Sequence, residues 1–462
     1  MTDLRHLPTG AEIRLCAAPQ RLFVPLLRRG LPGALPCVQV GERVAAGELI
    51  GRRVHASGCD VPAPLGGRIE AVMERPALRA PWRSQPCVVV DCDPSAAEQP
   101  PFPAWPDWTQ RTPQALRQRL RDSGAATLQR LANMPPADVL LLDASEPLDA
   151  APRQGTLLRQ RPQQVIDGAR MLARALGATR IVLLTHAPVA LVADQDIAIA
   201  ELPAHWPRPG RRARETAALG AAASSQRIAH CPATAAHDAW RAVAQGRHAS
   251  HRLIHVDGVP GAGLYEVALG TPISHLIEHA GGYPADARAL LGGGLRDGLP
   301  LPHDDLPIDH DSRALTVLGG ALPAANVESP CIRCGDCADA CPEALRPWRL
   351  LEAVERHDIE ALVAEALDDC VHCGACTSVC PSRIDLNARL AQGHEWLDEE
   401  VHQRLLADAA RERHLARQAR QLRVQEEQMA AQAVRKEAAS ASAVLAAIAR
   451  AKARRENPDA AP

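Results

Sequence analysis

The feature that most restricts what this chain can fold into is a cysteine pattern that occurs twice. Cys331, Cys334, Cys337 and Cys341 are spaced C-x2-C-x2-C-x3-C and followed by Pro342. Cys370, Cys373, Cys376 and Cys380 repeat that spacing and are followed by Pro381. The tight C-x2-C-x2-C turns let three sulfurs of each run converge on one point, and a fourth ligand must come from elsewhere. Soft thiolates in two like frames are what a pair of cubane iron–sulfur clusters requires. A zinc or disulfide knuckle is the plain alternative, but zinc sites usually pair two C-x2-C hooks and not two runs of four. The pattern predicts an electron-transfer module holding two [4Fe-4S] clusters.

In two-cluster ferredoxins the last cysteine of each run serves the other cluster. That rule assigns Cys331, Cys334, Cys337 and Cys380 to one cluster, and Cys370, Cys373, Cys376 and Cys341 to the second. Gly335, Gly374 and the two prolines shape the turns, and the prolines keep each run from closing into continuous helix.

Composition narrows the rest. A chain of 462 residues suggests about three domains. At 46% hydrophobic residues it can bury real cores, and a net charge of −2 argues against a general nucleic-acid binder. Aromatic residues are too scarce for base-stacking platforms. Cys16, Cys37, Cys59, Cys87, Cys92 and Cys231 show no ligand spacing. Scattered thiols, cluster thiolates and no recognisable signal peptide indicate a reducing cytoplasm. No stretch reaches the roughly 18 apolar residues that span a bilayer; the longest, Ile181 to Val192, is broken by Thr185, His186 and Pro188. Membrane association then falls to partner proteins or a surface contact.

Taken in order, residues 1–93 read as a β-domain. CVQVGERVAAGELIG (Cys37 to Gly51) alternates apolar and polar residues around glycine turns, and Val61 to Val72 reads as a second hairpin. The pattern looks like the barrel-sandwich fold of biotinyl and lipoyl domains. Those carriers present a lysine on the turn between halves; here that region holds His55, Ser57, Gly58 and Cys59, which points to docking and not to a swinging arm. Residues 94–113 are a Pro/Trp linker that wraps over a surface. Residues 114–249 alternate helix (Ala115 to Leu131), strand (Ala137 to Asp143), helix (Val165 to Leu176) and strand (Ala178 to Thr185), the βαβ rhythm of an open parallel sheet. Such sheets bind nucleotides through a glycine-rich turn, and only Ser123-Gly124 precedes the first strand. Asp143, Glu146 and Asp149 follow it, as ligand contacts or as a solubilising acidic loop.

Residues 250–300 read as strand, turn, strand and a helix from Ile273 to Ala280, a β-grasp-like pattern in which Gly261 and Gly263 suit turns better than a phosphate cradle. Gly292 to Gly294 form a flexible loop. Residues 301–325 read as a linker, although His303 to Asp311 carry enough His and Asp to suggest a metal. Residues 326–392 hold the clusters, and 393–462 a charged helical tail in which Leu415, Leu422 and Met429 recur every seventh position. Its basic end suits either solvent or an anionic membrane surface.

These pieces in this order resemble the C subunit of Rnf/Rsx ion-translocating electron transport complexes. CVQVGERVAAGELIG with VPAPLGGRI is similar to that family's N-terminal domain. HVDGVPGAGLYEVALGTPISHLIEHAGG resembles its β-grasp segment. The double cysteine run around a helical insert (Arg349 to Ala366) resembles its ferredoxin-like domain, and AAIARAKARR its Ala/Lys-rich tail. The family's GxGGAGFPT-type loop is reduced here to LRDSGAATLQRL (Leu120 to Leu131), and its NGAECEP-type motif to DASEP (Asp143 to Pro147). Backbone amides approach phosphate closely only where side chains are absent, so the departure argues against FMN and NADH binding; Glu146 is the one matching position. The resemblance implies an α/β multidomain chain with a barrel-sandwich-like β-domain, a βαβ sheet domain, a β-grasp segment, an α-helical ferredoxin-like domain and a long C-terminal helix. It implies a peripheral subunit on the cytoplasmic face of a bacterial inner membrane, relaying electrons among integral membrane and other redox subunits, with NADH or a ferredoxin-like protein as donor or acceptor. The rival readings are an NADH-oxidising flavin subunit, a scaffold with structural clusters, and a soluble heterodisulfide-reductase-like relay.

Overall fold

The computed structural model describes residues 12–27, 31, 33–55, 58–76, 84–93, 95–96, 100–145, 153–186, 197–202, 207–320 and 327–456. The chain divides into two units, Met1–Gln403 and Arg404–Pro462.

Alternating apolar residues, punctuated by glycine and proline, build two small antiparallel sheets near the N-terminus. One runs Arg21–Pro25, Ser84–Cys92, Gly67–Pro76, Arg43–Val44; the other runs Ala34–Pro36, Leu49–Arg53, Val61–Pro62. Leu22, Val24, Ile50, Ile69 and Val88 are fully or almost fully buried among their inner faces. The hairpin expected from Val61 to Val72 does not form. Val61–Pro62 pairs with Leu49–Arg53, whereas Gly67–Pro76 pairs with Ser84–Cys92 and Arg43–Val44. The chain changes layer between these strands, which lets both send apolar residues into one interior.

The parallel sheet has the order Ile197–Glu201, Arg180–Thr185, Val139–Asp143, Ile228–Pro232. Leu140 and Leu142 pack into one core and Val139 and Leu141 into another, as a strand covered on both faces must. Helices Pro162–Leu176 and Ala233–Ala244 cross so closely that a Cβ on Gly168 would collide with the Ala236 carbonyl. The helix expected over Ala115 to Leu131 is two helices, Pro113–Asp122 and Ala126–Asn133. Gly124, at φ +77°, breaks it, and the Ser123 hydroxyl donates back to the Leu120 carbonyl at 2.7 Å. The Pro/Trp stretch wraps over this layer: the Trp105 N–H donates to the Val243 carbonyl (2.9 Å), and the Arg119 guanidinium lies 3.9 Å from the Trp105 ring centre. The strand after Val139–Asp143 lies on one side of it and the last strand on the other. A crevice opens at the carboxyl ends where the order reverses.

A six-stranded mixed sheet follows, ordered Ile13–Leu15, Gly263–Ala268, His251–Asp257, Ala314–Gly319, Ala287–Gly292, Leu299–Pro300. Helix Ile273–His279 packs on it through Ile273, Leu276 and Ile277. The stretch 301–325, read as a linker, therefore carries a central strand. Within His303 to Asp311, Leu306 and Ile308 are fully buried, and Asp309 accepts the backbone N–H groups of Asp311 and Ser312. Alternate apolar anchors among acidic neighbours make it a packed loop.

The cysteine domain is built of short helices: Asp336–Asp339, Pro347–Glu355, Ile359–Ala364, Ala375–Ser378 and the start of Leu386–Glu456. The insert between the runs is two helices because His357 turns left-handed (φ +55°) and the Asp358 carboxylate caps Ala361 at 2.9 Å. In the second unit Leu415, Leu422 and Met429 are exposed.

Candidate iron–sulfur centre

The two runs fold alike. Three left-handed backbone positions recur at the offset of 39 that separates Cys331 from Cys370. Arg333 and His372 have φ +56° and +52°, Gly335 and Gly374 +96° and +73°, Ala344 and Arg383 +56° and +57°. Left-handed backbone costs a non-glycine residue about 1–2 kcal/mol, and such strain persists where the surroundings over-determine it. Here it aims the thiols.

Cys331, Cys334 and Cys337 line one cavity together with Cys380 of the other run; Ile332, Trp348, Pro381, Ile384 and Leu386 complete its walls. Around Cys376 stand Cys370, Cys373 and Cys341. Burial first, then repulsion from Cys370, Cys373 and Cys341, pushes the Cys376 thiol up to about 12. Burial, with Cys341 among the neighbouring charges, raises Cys373 as well. The Leu345 N–H donates to Cys341 Sγ at 3.4 Å. Each group of four thus draws one member from the other run.

The donor set suits a polynuclear cluster. Buried thiolates are unfavourable unless a cationic partner shares their charge, which iron would supply. Among the described residues no three His, Cys, Asp or Glu side chains form a tight cage for a single metal ion. The His/Asp run does not converge: Tyr283 donates to Asp304, Arg75 pairs with Asp305, and Arg252 contacts His310.

The foursomes differ in setting. Cys331 and Cys334 are exposed, as are Ile332 and Arg333 between them. Cys370 and Cys373 instead border the crevice of the parallel sheet, whose other walls include Asp143, Arg208, Arg214, Glu266, Gly293 and Glu343. Arg214 holds Asp143 at 2.5 Å and Arg208 at 3.3 Å. Burial works to raise the Asp143 carboxyl, but the two guanidiniums and Ser145 outweigh it and keep it below the usual range. The single glycine retained in Leu120 to Leu131, Gly124, faces Pro62 and the Asp60 carbonyl of the N-terminal domain. Glu146, Asp149 and Ser57 lie outside the described residues. Sequence reasoning missed Trp348, Glu343, Asn387 and the Arg296-Asp297 loop; each acts on a run through a partner distant in sequence or through an unmarked aromatic.

Residues 330–384 match the 4Fe-4S dicluster domain family, and residues 1–95 the RnfC barrel sandwich hybrid domain. The chain is similar to the C subunits of ion-translocating oxidoreductase complexes from three bacteria. It is 31% identical to the Pseudomonas aeruginosa protein over 92% of this chain and 58% of that protein. With the Cronobacter sakazakii protein the identity is 27% over 77% and 49%, and with the Rhodobacter capsulatus protein 26% over 77% and 74%. The chain spans about half the length of the first two relatives. An NAD+-reducing [NiFe]-hydrogenase structure aligns with TM-score 0.37 and 14% identity, covering 66% of this chain and 65% of that one. Fold and site together define a two-cluster iron–sulfur protein with a barrel-sandwich N-terminal domain. Residues 1–95 carry the RnfC-type N-terminal domain and the chain is similar to RnfC subunits over most of its length, as its motif order indicated. No helix among the described residues is long and apolar enough to cross a membrane.

Proposed function

We propose that this chain is the iron–sulfur electron-transfer subunit of an Rnf-type ion-translocating oxidoreductase complex, passing electrons singly through two [4Fe-4S] clusters. The observation that carries the reading is the convergence of Cys331, Cys334 and Cys337 with Cys380 on one cavity. Cys370, Cys373, Cys376 and Cys341 would hold the second cluster. Bound there, the clusters supply one-electron chemistry at potentials set by charge, hydrogen bonds and burial. The chain's own residues fix the thiols and partly shield them: Ile384, Leu386 and Trp348 wall the outer foursome on its inner side, and Cys373 and Cys376 are half-buried. Exposed Ile332 and Arg333 leave one edge where a second redox protein can bring its own centre close. In this reading the chain sits peripherally on the cytoplasmic face of the inner membrane, ion movement belongs to integral partners, and the six-stranded sheet contains the family's β-grasp segment.

A second reading, a flavin-containing NADH-oxidising subunit, has one observation in its favour. The crevice lies at the carboxyl ends of parallel strands, where such sheets take nucleotides. Against it stand the missing glycines and the position of Gly124, buried against Pro62 and the Asp60 carbonyl of the N-terminal domain. Anaerobic purification with iron, sulfide and flavin quantified together, then NADH addition, tests both. About eight irons per chain, no flavin and no bleaching by NADH support the relay; flavin with rapid bleaching supports the second reading. A preparation that retains no four-iron signature after reconstitution sinks both.

A further inference from the structure

The segment after Cys341 does something that its counterpart after Cys380 does not. The first N–H groups of a helix lack partners within the helix, and at Arg211–Leu219 the preceding residue is Gly210, with no side chain to cap them. Glu343 fills that role from the cysteine domain: its two carboxylate oxygens accept the Arg211 N–H at 3.0 and 3.1 Å. A negative charge at a helix N-terminus is favourable. Gly210 is needed for the approach, since a Cβ there would collide with the Pro342 carbonyl. One turn further on, Arg214 of the same helix grips Asp143, and Glu215 pairs with His230 at 2.8 Å. The helix is thus pinned to the parallel sheet at one point and to the cysteine arm at another.

The equivalent of Glu343 in the second run is Ser382, at the same offset of 39. There the contact stays within the cysteine domain: the Ser382 hydroxyl donates to the Pro330 carbonyl at 3.0 Å, and its own carbonyl accepts the Ser329 N–H at 2.9 Å. Of these two equivalent residues, Glu343 reaches another domain and Ser382 does not, and Cys341 stands with Cys370, Cys373 and Cys376. Glu343, Cys370 and Cys373 border the same crevice. A carboxylate facing partly desolvated space opposes addition of an electron nearby.

We infer that Glu343 is a positioning residue: it clamps the Cys341 arm to helix Arg211–Leu219 and, by its charge, holds the inner cluster at a lower potential than that cluster would otherwise have. The inference rests on the two-cluster reading. The test uses the full chain, reconstituted anaerobically with iron and sulfide, and potentiometric titration followed by electron paramagnetic resonance, with C380S and C341S used to tell the two signals apart. E343Q keeps an acceptor oxygen and removes the charge; it is expected to retain about eight irons and to raise the inner midpoint while the outer one stays. E343A, which also loses the acceptor, is expected to surrender inner iron to a chelator faster than wild type. S382A is expected to leave the inner midpoint unchanged. Should E343Q lose iron, E343D must restore both the iron and the midpoint, and its failure to do so overturns the inference. An unmoved inner midpoint in E343Q, or equal movement of both, overturns it as well. A wild-type chain that never holds two clusters overturns the underlying reading instead.

Discussion

The two cysteine runs share a spacing and a backbone, yet their surroundings differ. At Gly335 a Cβ would meet nothing; at Gly374, the same position of the repeat, it would collide with the Arg296 carbonyl. Trp348 closes the outer cavity beneath Arg333 and Arg349. Its counterpart Asn387 sends its amide to the Asp297 carbonyl at 3.2 Å. Glu343 reaches a helix of another domain, whereas Ser382 reaches the Ser329-Pro330 segment of its own domain. The difference teaches that the repeat specifies how thiols are gathered, and the neighbouring sheets decide which foursome faces inward.

The largest effects should come from the crossed fourth ligands. C380S lies in the second run but is expected to abolish the outer cluster, and C341S the inner one, each lowering iron from about eight to about four per chain. Paramagnetic resonance with a slow-penetrating chelator assigns the survivor. If C380S instead spares the chelator-sensitive cluster, each run holds its own iron and the comparison is wrong.

Next in size is the glycine pair. G335A carries the left-handed penalty alone, about 1–2 kcal/mol. G374A combines it with crowding against Arg296, which adds about 1–3 kcal/mol as overpacking typically does. The melting temperature of the reconstituted chain should therefore fall further for G374A. Equal falls would mean that the loop at Arg296 yields freely and that the inner turn is not clamped.

What could be read beforehand follows the same division. Thiol spacing, turn glycines, the strands near Val139 and Arg180 and the long helix from Leu386 are written in local pattern. The misread places are those decided by distant chain. Val61–Pro62 and Gly67–Pro76 look like one hairpin until their partners, Leu49–Arg53 and Ser84–Cys92, place them in separate sheets. Leu306 and Ile308 are hidden among acidic residues, so the segment leading to strand Ala314–Gly319 reads as a connector, although that strand pairs with His251–Asp257. Ile13–Leu15 gains its meaning only beside Gly263–Ala268. Of the site, the thiols were legible; Glu343 was not, because a carboxylate two residues after a cysteine carries no mark of a helix more than a hundred residues upstream.

A smaller effect is expected from N387A. It removes two side-chain hydrogen bonds, to the Asp297 carbonyl at 3.2 Å and to His372 Nδ1 at 3.3 Å, each worth about 0.5–1.5 kcal/mol. The inner iron should become more accessible to chelator and the outer unchanged. A loss of the outer cluster instead would show that the Asp297 contact supports the whole domain and not one foursome.

The smallest stability effect, and the one that sharpens the comparison most on the outer side, belongs to Arg333. Its side chain is 68% exposed and its ion pair with Glu352 is long, 3.6 Å, so R333A should cost at most about 1 kcal/mol. Exposed charges at the rim of an interface act mainly on association rate and its salt dependence. If the outer edge is where a partner protein exchanges electrons, R333A and R333E should change the ionic-strength dependence of reduction by a charged redox protein, R333E more, with both cluster signals intact. The residue at the matching inner position, His372, faces the crevice side with Cys370 and Cys373, and H372A should leave that dependence as it was. A reversed pattern, with His372 sensitive and Arg333 silent, would put the protein-exchanging edge at the crevice and invert the assignment of inner and outer roles.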